Sequence, residues 1–167
     1  SHKVVHAHCA RTAHAEERVV GITPAVARLM KQAGFETVRL GLETADTHRR
    51  PEQEQKVTAD EFQRTADCLK QAGFEKPQVG AYLLAGLPGQ SFEEIAASIQ
   101  IVKDNGVTPI LAHYSPIPHT DLWPAAVAAS RYDLAADPIF TNNAMLPCRK
   151  ETFSWETITR LKTLSAA

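Results

Sequence analysis

The sequence predicts an α/β protein made of repeated βα units on a parallel sheet, and three observations carry that prediction. Short apolar runs alternate with amphipathic stretches of helical period. A phrase of six residues, Lys31-Gln32-Ala33-Gly34-Phe35-Glu36, returns 39 residues later as Lys70-Gln71-Ala72-Gly73-Phe74-Glu75, and a weaker copy, Lys103-Asp104-Asn105-Gly106-Val107, follows after another 33. In each copy a glycine closes a helical pattern and precedes an apolar run, the place where a left-handed residue ends a helix and turns the chain into a strand. Crossovers between such strands are right-handed, and repeats of similar length favour part of a (β/α) barrel over a doubly wound sheet.

Taken in order, Lys3-Val4-Val5-His6-Ala7-His8 reads as a first strand. Thr23 before Pro24 reads as an N-cap with proline at the first helical position, and Ala25, Val26, Leu29 and Met30 then form an expected buried stripe. The run Thr37 to Leu42 is the next strand. Thr58-Ala59-Asp60-Glu61 is a capping box that opens a helix with Phe62, Ala66 and Leu69 on one side, and Cys68 is expected there as a small core residue. Gln78 to Ala85 is a strand, and Ser91-Phe92-Glu93-Glu94 is a second capping box, followed by Ile95, Ile99 and Val102. Thr108 to Tyr114 is the last strand. Being short, apolar and separated by helices, these strands are expected to be buried on both faces. Beyond Thr120 the pattern predicts a short helix over Leu122 to Ala129, a loop from Tyr132 to Pro147 and a terminal amphipathic helix from Trp155 to Leu164, with Trp123 and Trp155 as cover for sheet edges.

Length and composition bound the rest. A chain of 167 residues, 44% hydrophobic and 22% charged, matches one globular domain with a packed core. Eighteen basic against nineteen acidic residues leave a net charge of −1, so no basic field holds nucleic acid or an anionic membrane. The longest apolar runs are strand-sized, and with no signal peptide the expected location is cytoplasmic. Cys9, Cys68 and Cys148 lie 59 and 80 residues apart, too sparse for a disulfide framework or a clustered metal motif.

A parallel α/β sheet gathers its ligands at the carboxyl ends of its strands. Glu43, with Thr44 beside it, ends one strand, where a carboxylate can accept from ribose hydroxyls or pair with a cofactor's amino group; otherwise it is a surface acid capping the next element. Gly86-Leu87-Pro88-Gly89 follows the next strand; its glycines allow close backbone approach and its amides could meet an adenine or a carboxylate, unless it is an ordinary tight turn. It lacks both GxxxxGK[ST] and GxGxxG. Ser115-Pro116-Ile117-Pro118-His119-Thr120 is a proline-stiffened turn at the last strand end. His6 and His8 share one face of the first strand and are candidates for adventitious metal.

The succession Arg39-Leu40-Gly41-Leu42-Glu43-Thr44, Val57-Thr58-Ala59-Asp60-Glu61, Leu84-Ala85-Gly86-Leu87-Pro88-Gly89-Gln90 and Tyr114-Ser115-Pro116-Ile117-Pro118-His119-Thr120 resembles the second half of a radical S-adenosylmethionine (radical SAM) core. The resemblance is to members with a cobalamin-binding domain ahead of that core, and Asn142-Asn143 to Cys148 is similar to their tail. It implies a six-stranded partial TIM-type barrel, (β/α)6, of which about four strands are present here. It also implies an enzyme in which a 4Fe-4S cluster on a three-cysteine loop reduces S-adenosylmethionine to a 5′-deoxyadenosyl radical. On this resemblance Glu43 and Thr44 occupy the polar position of the fourth strand, Gly86 and Leu87 meet adenine through backbone, Ile117 flanks it, and Lys56 and Arg64 are cations for the cofactor's carboxylate. Lys56 and Arg64 are also ordinary solvated charges.

One departure stands out. The chain has no CxxxCxxC, so the cluster ligands are expected in residues ahead of it, and the chain in the C-terminal portion of a longer enzyme, inert alone. Cobalamin would enter only through a domain not in this sequence. The expected organisation is a partial barrel over residues 1–120 and a C-terminal extension over residues 121–167 packing on it, with sheet edges open to dimerisation. The rival reading is a self-contained α/β nucleotide- or metabolite-binding module without catalysis. Any other enzyme on this scaffold needs a nucleophile paired with a base, and the sequence offers no such pair.

Overall fold

The computed structural model describes residues 22–43, 59–148 and 155–166. Along the chain run helix α1 (Pro24–Gln32), strand β1 (Val38–Glu43), helix α2 (Ala59–Gln71), a 3-10 turn (Lys76–Gln78), strand β2 (Val79–Ala85), helix α3 (Phe92–Asp104), strand β3 (Thr108–His113), helix α4 (Trp123–Ala129), two further 3-10 turns (Pro138–Thr141 and Asn143–Met145) and helix α5 (Trp155–Ala166). The three strands form a parallel sheet in the order β1-β2-β3, alternating with helices. The expected α/β class and βα alternation are therefore present. The strand expected at Lys3 to His8 and the cap Thr58 lie outside the described residues. Among the described residues no helix is long and apolar enough to cross a membrane.

The chain divides into two compact units. The first holds α1, β1, α2, the opening of β2, the end of α3 and the opening of β3. Here the repeated phrase acts as the sequence predicts. Gly34, Gly73 and Gly106 have φ of 79°, 91° and 64°. In each copy the glycine N–H reaches the lysine carbonyl three residues back, at 3.1, 2.9 and 2.8 Å. The next N–H, of Phe35, Phe74 or Val107, reaches the carbonyl five back, at 3.1, 3.1 and 3.2 Å. That pair of bonds is the Schellman motif, and it satisfies carbonyls that a helix end otherwise leaves bare.

The copies also touch one another. A methyl group built on Gly73 would lie 3.8 Å from Lys31 Cε, and one on Gly106 3.1 Å from Lys70 Cε. Each lysine thus lays its aliphatic stem over the glycine of the following copy while its charge stays at the surface. Lys31 Nζ continues to a position 4.7 Å from the centre of the Phe74 ring and donates to Gln78 Oε1 at 3.1 Å. Gln78 also accepts on its carbonyl from the Arg39 guanidinium, at 3.2 Å.

Two expectations about burial are corrected. On α1 the buried residue is Ala27, whereas Val26 and Leu29 are 45% and 63% exposed and Ala25 is exposed too. Ala27 and Lys31 sit one turn apart, and α1 meets α2, so the helix approaches through its small residue and its lysine stem rather than its larger apolar side chains. The strands are not closed on both faces either. Val38, Leu40 and Leu42 in β1 and Val79, Ala81, Leu83 and Ala85 in β2 are buried, but Arg39, Gly41, Tyr82 and Leu84 between them are half-exposed. In these two strands one face is sealed and the other partly open, apart from the buried Gly80, whereas in β3 only Pro109 is buried and the residues on both faces are half-exposed. Cys68, expected in the core, is half-buried.

The second unit holds the end of β2, the opening of α3, the end of β3 and everything after it. Its core is Ala126, Ala129, Leu134 and Cys148, with Tyr114, Trp123, Tyr132 and Phe140 packed against it. Tyr132 and Phe140 stack with ring centres 5.1 Å apart. Ile158 and Leu161 on α5 are buried, and the Arg160 guanidinium lies 4.6 Å from the centre of the Phe92 ring at the start of α3. Trp123 packs on this core, while Trp155 is exposed. The stretch expected as plain loop contains the two short 3-10 turns, opened by Asp137 and Asn142 carboxylate and amide oxygens that accept the N–H groups of Ile139 and Ala144, both at 2.8 Å.

Candidate functional site

The turn after β2 is the best-defined strand end. Gly86 has φ of 91°, and a methyl group placed on its α-carbon would meet nothing within 4 Å. The backbone there is therefore bare on one side, in a conformation that side chains with a Cβ rarely adopt. The expectation of open amides at this turn is corrected by Gln90, which is 7% exposed. Its Oε1 accepts both the Gly86 N–H at 2.9 Å and the Leu87 N–H at 3.1 Å, and its Nε2 donates to the Leu84 carbonyl at 3.0 Å. Its own N–H donates to the Leu87 carbonyl at 3.0 Å. A buried amide side chain that satisfies donors and an acceptor at once makes a rigid turn.

Immediately after it, α3 opens on the capping box read from the sequence. The Ser91 N–H donates to Glu94 Oε2 at 2.8 Å, and the Glu94 N–H donates to Ser91 Oγ at 3.2 Å. Leu87 is buried. The neighbouring loop joins this turn through the Tyr114 N–H, which donates to the Ala85 carbonyl at 2.9 Å. Beyond Tyr114, the Ile117 carbonyl accepts from Thr120 Oγ1 at 2.7 Å, His119 has φ of 65°, and Ile117 itself is 60% exposed.

The remaining candidates fall elsewhere. Glu43 ends β1. The β1–β2 register runs Val38 to Val79, Arg39 to Gly80, Leu40 to Ala81 and Gly41 to Tyr82, then slips so that Glu43 stands opposite Leu83. That slip is a bulge at the carboxyl end of the strand. Arg64 is exposed on α2 and donates from Nε to the Asp60 carbonyl of its own helix, at 3.2 Å. Thr44, Lys56, His6 and His8 lie outside the described residues. Among the described residues no group of three or more His, Cys, Asp or Glu could hold a metal.

The two described cysteines do not fit an iron-sulfur cluster. Cys68 lies within α2, and Cys148 is buried with its Sγ 3.9 Å from the Ala126 carbonyl. Burial pushes the Cys148 thiol up to about 11. A thiol titrating there instead of near 9 holds about a hundredfold less thiolate at pH 8. Alkylation of Cys148 by iodoacetamide in the folded protein is accordingly expected to be slower than in urea by at least that factor, as peptide mass spectrometry would record. Equal rates would mean the thiol is not buried in solution.

His113, the last residue of β3, was not singled out by sequence. Its pKa lies below the ordinary 6.5, first because it is partly desolvated and second because of the Lys162 ammonium. The native imidazole thus takes a proton less readily than the unfolded one. The stability this group contributes is complete above pH 6.5 and is lost as the pH falls from there through the native value. Substituting Lys162→Met is expected to move the His113 imidazole midpoint back toward 6.5 in a proton NMR titration. An unmoved midpoint would leave burial as the sole cause. Tyr114 is shifted upward by burial and then by Cys148.

Fold and strand ends together define a βα-repeat protein with a glycine-backed, braced turn at a strand's carboxyl end. A scan against protein-family models finds no match, and a search of curated proteins finds none.

Proposed function

We propose that the chain is the C-terminal portion of a radical SAM enzyme and supplies part of the S-adenosylmethionine site, above all the surface that meets the adenosyl group. The observation that carries this reading is the Gly86 turn: a bare α-carbon at φ of 91°, held rigid by Gln90 and bonded through Tyr114 to a loop that exposes Ile117. Open glycine backbone and an exposed apolar side chain on the loop after the next strand suit a neutral heterocycle, which needs van der Waals surface on its faces and few hydrogen bonds at its edge. The bulge at Glu43 is separate support for a functional strand end, since bulges are over-represented next to active sites. Three parallel strands alternating with helices suit one sector of a (β/α)6 partial barrel over residues 1–120, with residues 121–167 as a C-terminal extension.

In this reading the cluster and any cobalamin belong to parts of the enzyme ahead of Ser1, and this chain is inert by itself. What it does is bind and orient: the turn after β2 and the loop after β3 contribute rigid surface, while polar roles for Glu43, Thr44, Lys56 and Arg64 rest on the resemblance to the family alone. The test is the coding sequence upstream of Ser1. The reading expects a CxxxCxxC there, and an upstream frame lacking it would overturn the enzyme in favour of a self-contained binding module. The same module would bind S-adenosylmethionine unaided in calorimetry without any partner segment.

A further inference from the structure

We propose that Gln90 determines which ligands the turn after β2 accepts, by occupying its amide nest and leaving only acceptor groups for a ligand. Successive N–H groups around a left-handed residue converge and attract anions. The Gly86 and Leu87 N–H groups are such a pair, but both are spent on Gln90 Oε1, at 2.9 and 3.1 Å. The helix start that follows disfavours anions as well, because Ser91 and Glu94 cap one another and Glu93 and Glu94 place two acidic residues in the first turn of α3. Neither the Gly86 nor the Leu87 N–H is left for a phosphate or a carboxylate.

The carbonyls divide differently. Ala85 accepts from Tyr114, Leu84 from Gln90 Nε2 and Leu87 from the Gln90 N–H, while among the described residues the Gly86 carbonyl accepts no hydrogen bond. A ligand edge at this turn therefore has to donate. An uncharged heterocycle carrying an exocyclic amine qualifies; the analogue with hydrogen in place of that amine does not, because the same edge then offers only acceptors to a carbonyl. Glutamine suits the brace where glutamate does not: a carboxylate could accept from both amides but could not donate to Leu84. The inference rests on the adenosyl reading for the identity of the ligand, and on the hydrogen bonds alone for the exclusion of anions.

The experiment uses the whole chain, labelled with nitrogen-15, as wild type, Gln90→Ala and Gln90→Glu. Amide exchange and chemical shifts of residues 86 and 87 are followed with inorganic phosphate, 5′-deoxyadenosine and 5′-deoxynebularine, in which hydrogen replaces the amine, as separate probes. In the wild type, phosphate is expected to leave both signals in place. In Gln90→Ala the two amides should exchange about tenfold faster or more and should shift with phosphate, since the nest is then free. Gln90→Glu should still exclude phosphate, because its carboxylate fills the nest. A residue that merely stabilised the fold would affect both variants alike and would change no ligand preference. A wild-type turn that already responds to phosphate, or a folded Gln90→Ala protein that gains no response, overturns the role of Gln90. Preference for 5′-deoxyadenosine over 5′-deoxynebularine supports the donor requirement, and equal binding of the two overturns it. Failure of both nucleosides alongside the expected phosphate pattern counts against the adenosyl reading and leaves the anion exclusion by Gln90 standing.

Discussion

Replacing Phe62 with alanine is expected to lower the unfolding free energy by about 3–5 kcal/mol, out of the roughly 5–15 kcal/mol that a domain of this size holds. Phe62 is 2% exposed and is among the largest fully buried side chains of the chain. It heads the stripe Phe62, Thr65, Ala66 and Leu69, which recurs at three- and four-residue spacing along one side of α2. The other side of the helix is polar, with Asp60, Gln63, Arg64 and Lys70. A helix of 13 residues with such a surface is marginal in water, so this stripe holds it in place. Truncation removes the buried ring and leaves a cavity that Thr65 and Ala66 are too small to refill. At about 2–4 °C per kcal/mol for a chain of this length, the melting temperature should fall by roughly 6–20 °C. Urea unfolding monitored by circular dichroism would measure the loss, with Phe62→Leu as a milder companion expected to cost about 1 kcal/mol. A loss below about 1 kcal/mol for alanine would mean that α2 is not seated as described.

That stripe was legible in the sequence, and so were the helix ends, for the same physical reason. Caps and helix stops are decided within six residues by backbone chemistry: Thr23 with Val26, Ser91 with Glu94, and the three glycines with the carbonyls behind them all bond as their spacing predicts. The strands agree to within a residue, Val38–Glu43 against Thr37 to Leu42 and Thr108–His113 against Thr108 to Tyr114. What failed depends on neighbours distant in sequence. The face of α1 that turns inward is set by its meeting with α2, and a stripe of larger apolar residues gave way to Ala27. The contact of Lys31 with the second glycine and of Lys70 with the third shows that the repeat is spatial as well as sequential, which no local pattern states.

The site was legible in outline and misread in its chemistry. The sequence marks the Gly86 turn but leaves open whether its amides are available or spent within a tight turn, and Gln90 already holds them. The signal existed: a glutamine directly after Gly-Leu-Pro-Gly, ahead of a capping box, is a polar residue in a place that has no other use for one. Gln90 bridges no more than six residues, so side-chain accounting at the turn could have placed it. The register slip at Glu43 had no such signal, because a bulge is a property of two strands.

Substituting valine for Gly86 should abolish adenosyl binding at a cost in stability that a second substitution can match, and the comparison separates the two effects. Gly86 and Gly34 share a left-handed backbone, φ of 91° and 79°, and at both a Cβ would meet nothing within 4 Å. A β-branched residue is strained in that region by about 1–3 kcal/mol wherever it is placed. Gly86→Val and Gly34→Val are thus expected to lose similar stability in urea, neither by steric clash with the protein. They should differ in binding. At Gly34, which closes α1, the added side chain enters empty space. At Gly86 it fills the space over the turn where the reading places the face of the heterocycle, on the residue whose carbonyl, among the described residues, accepts no hydrogen bond. Affinity for 5′-deoxyadenosine should drop by at least about a hundredfold in Gly86→Val, the equivalent of roughly 2.7 kcal/mol, and stay within about twofold in Gly34→Val. Calorimetry on both proteins at equal folded fraction would decide. Equal affinities would show that the open face of Gly86 is only room for a turn, and the strand-end surface would then have to be sought at Glu43 and the bulge that precedes it.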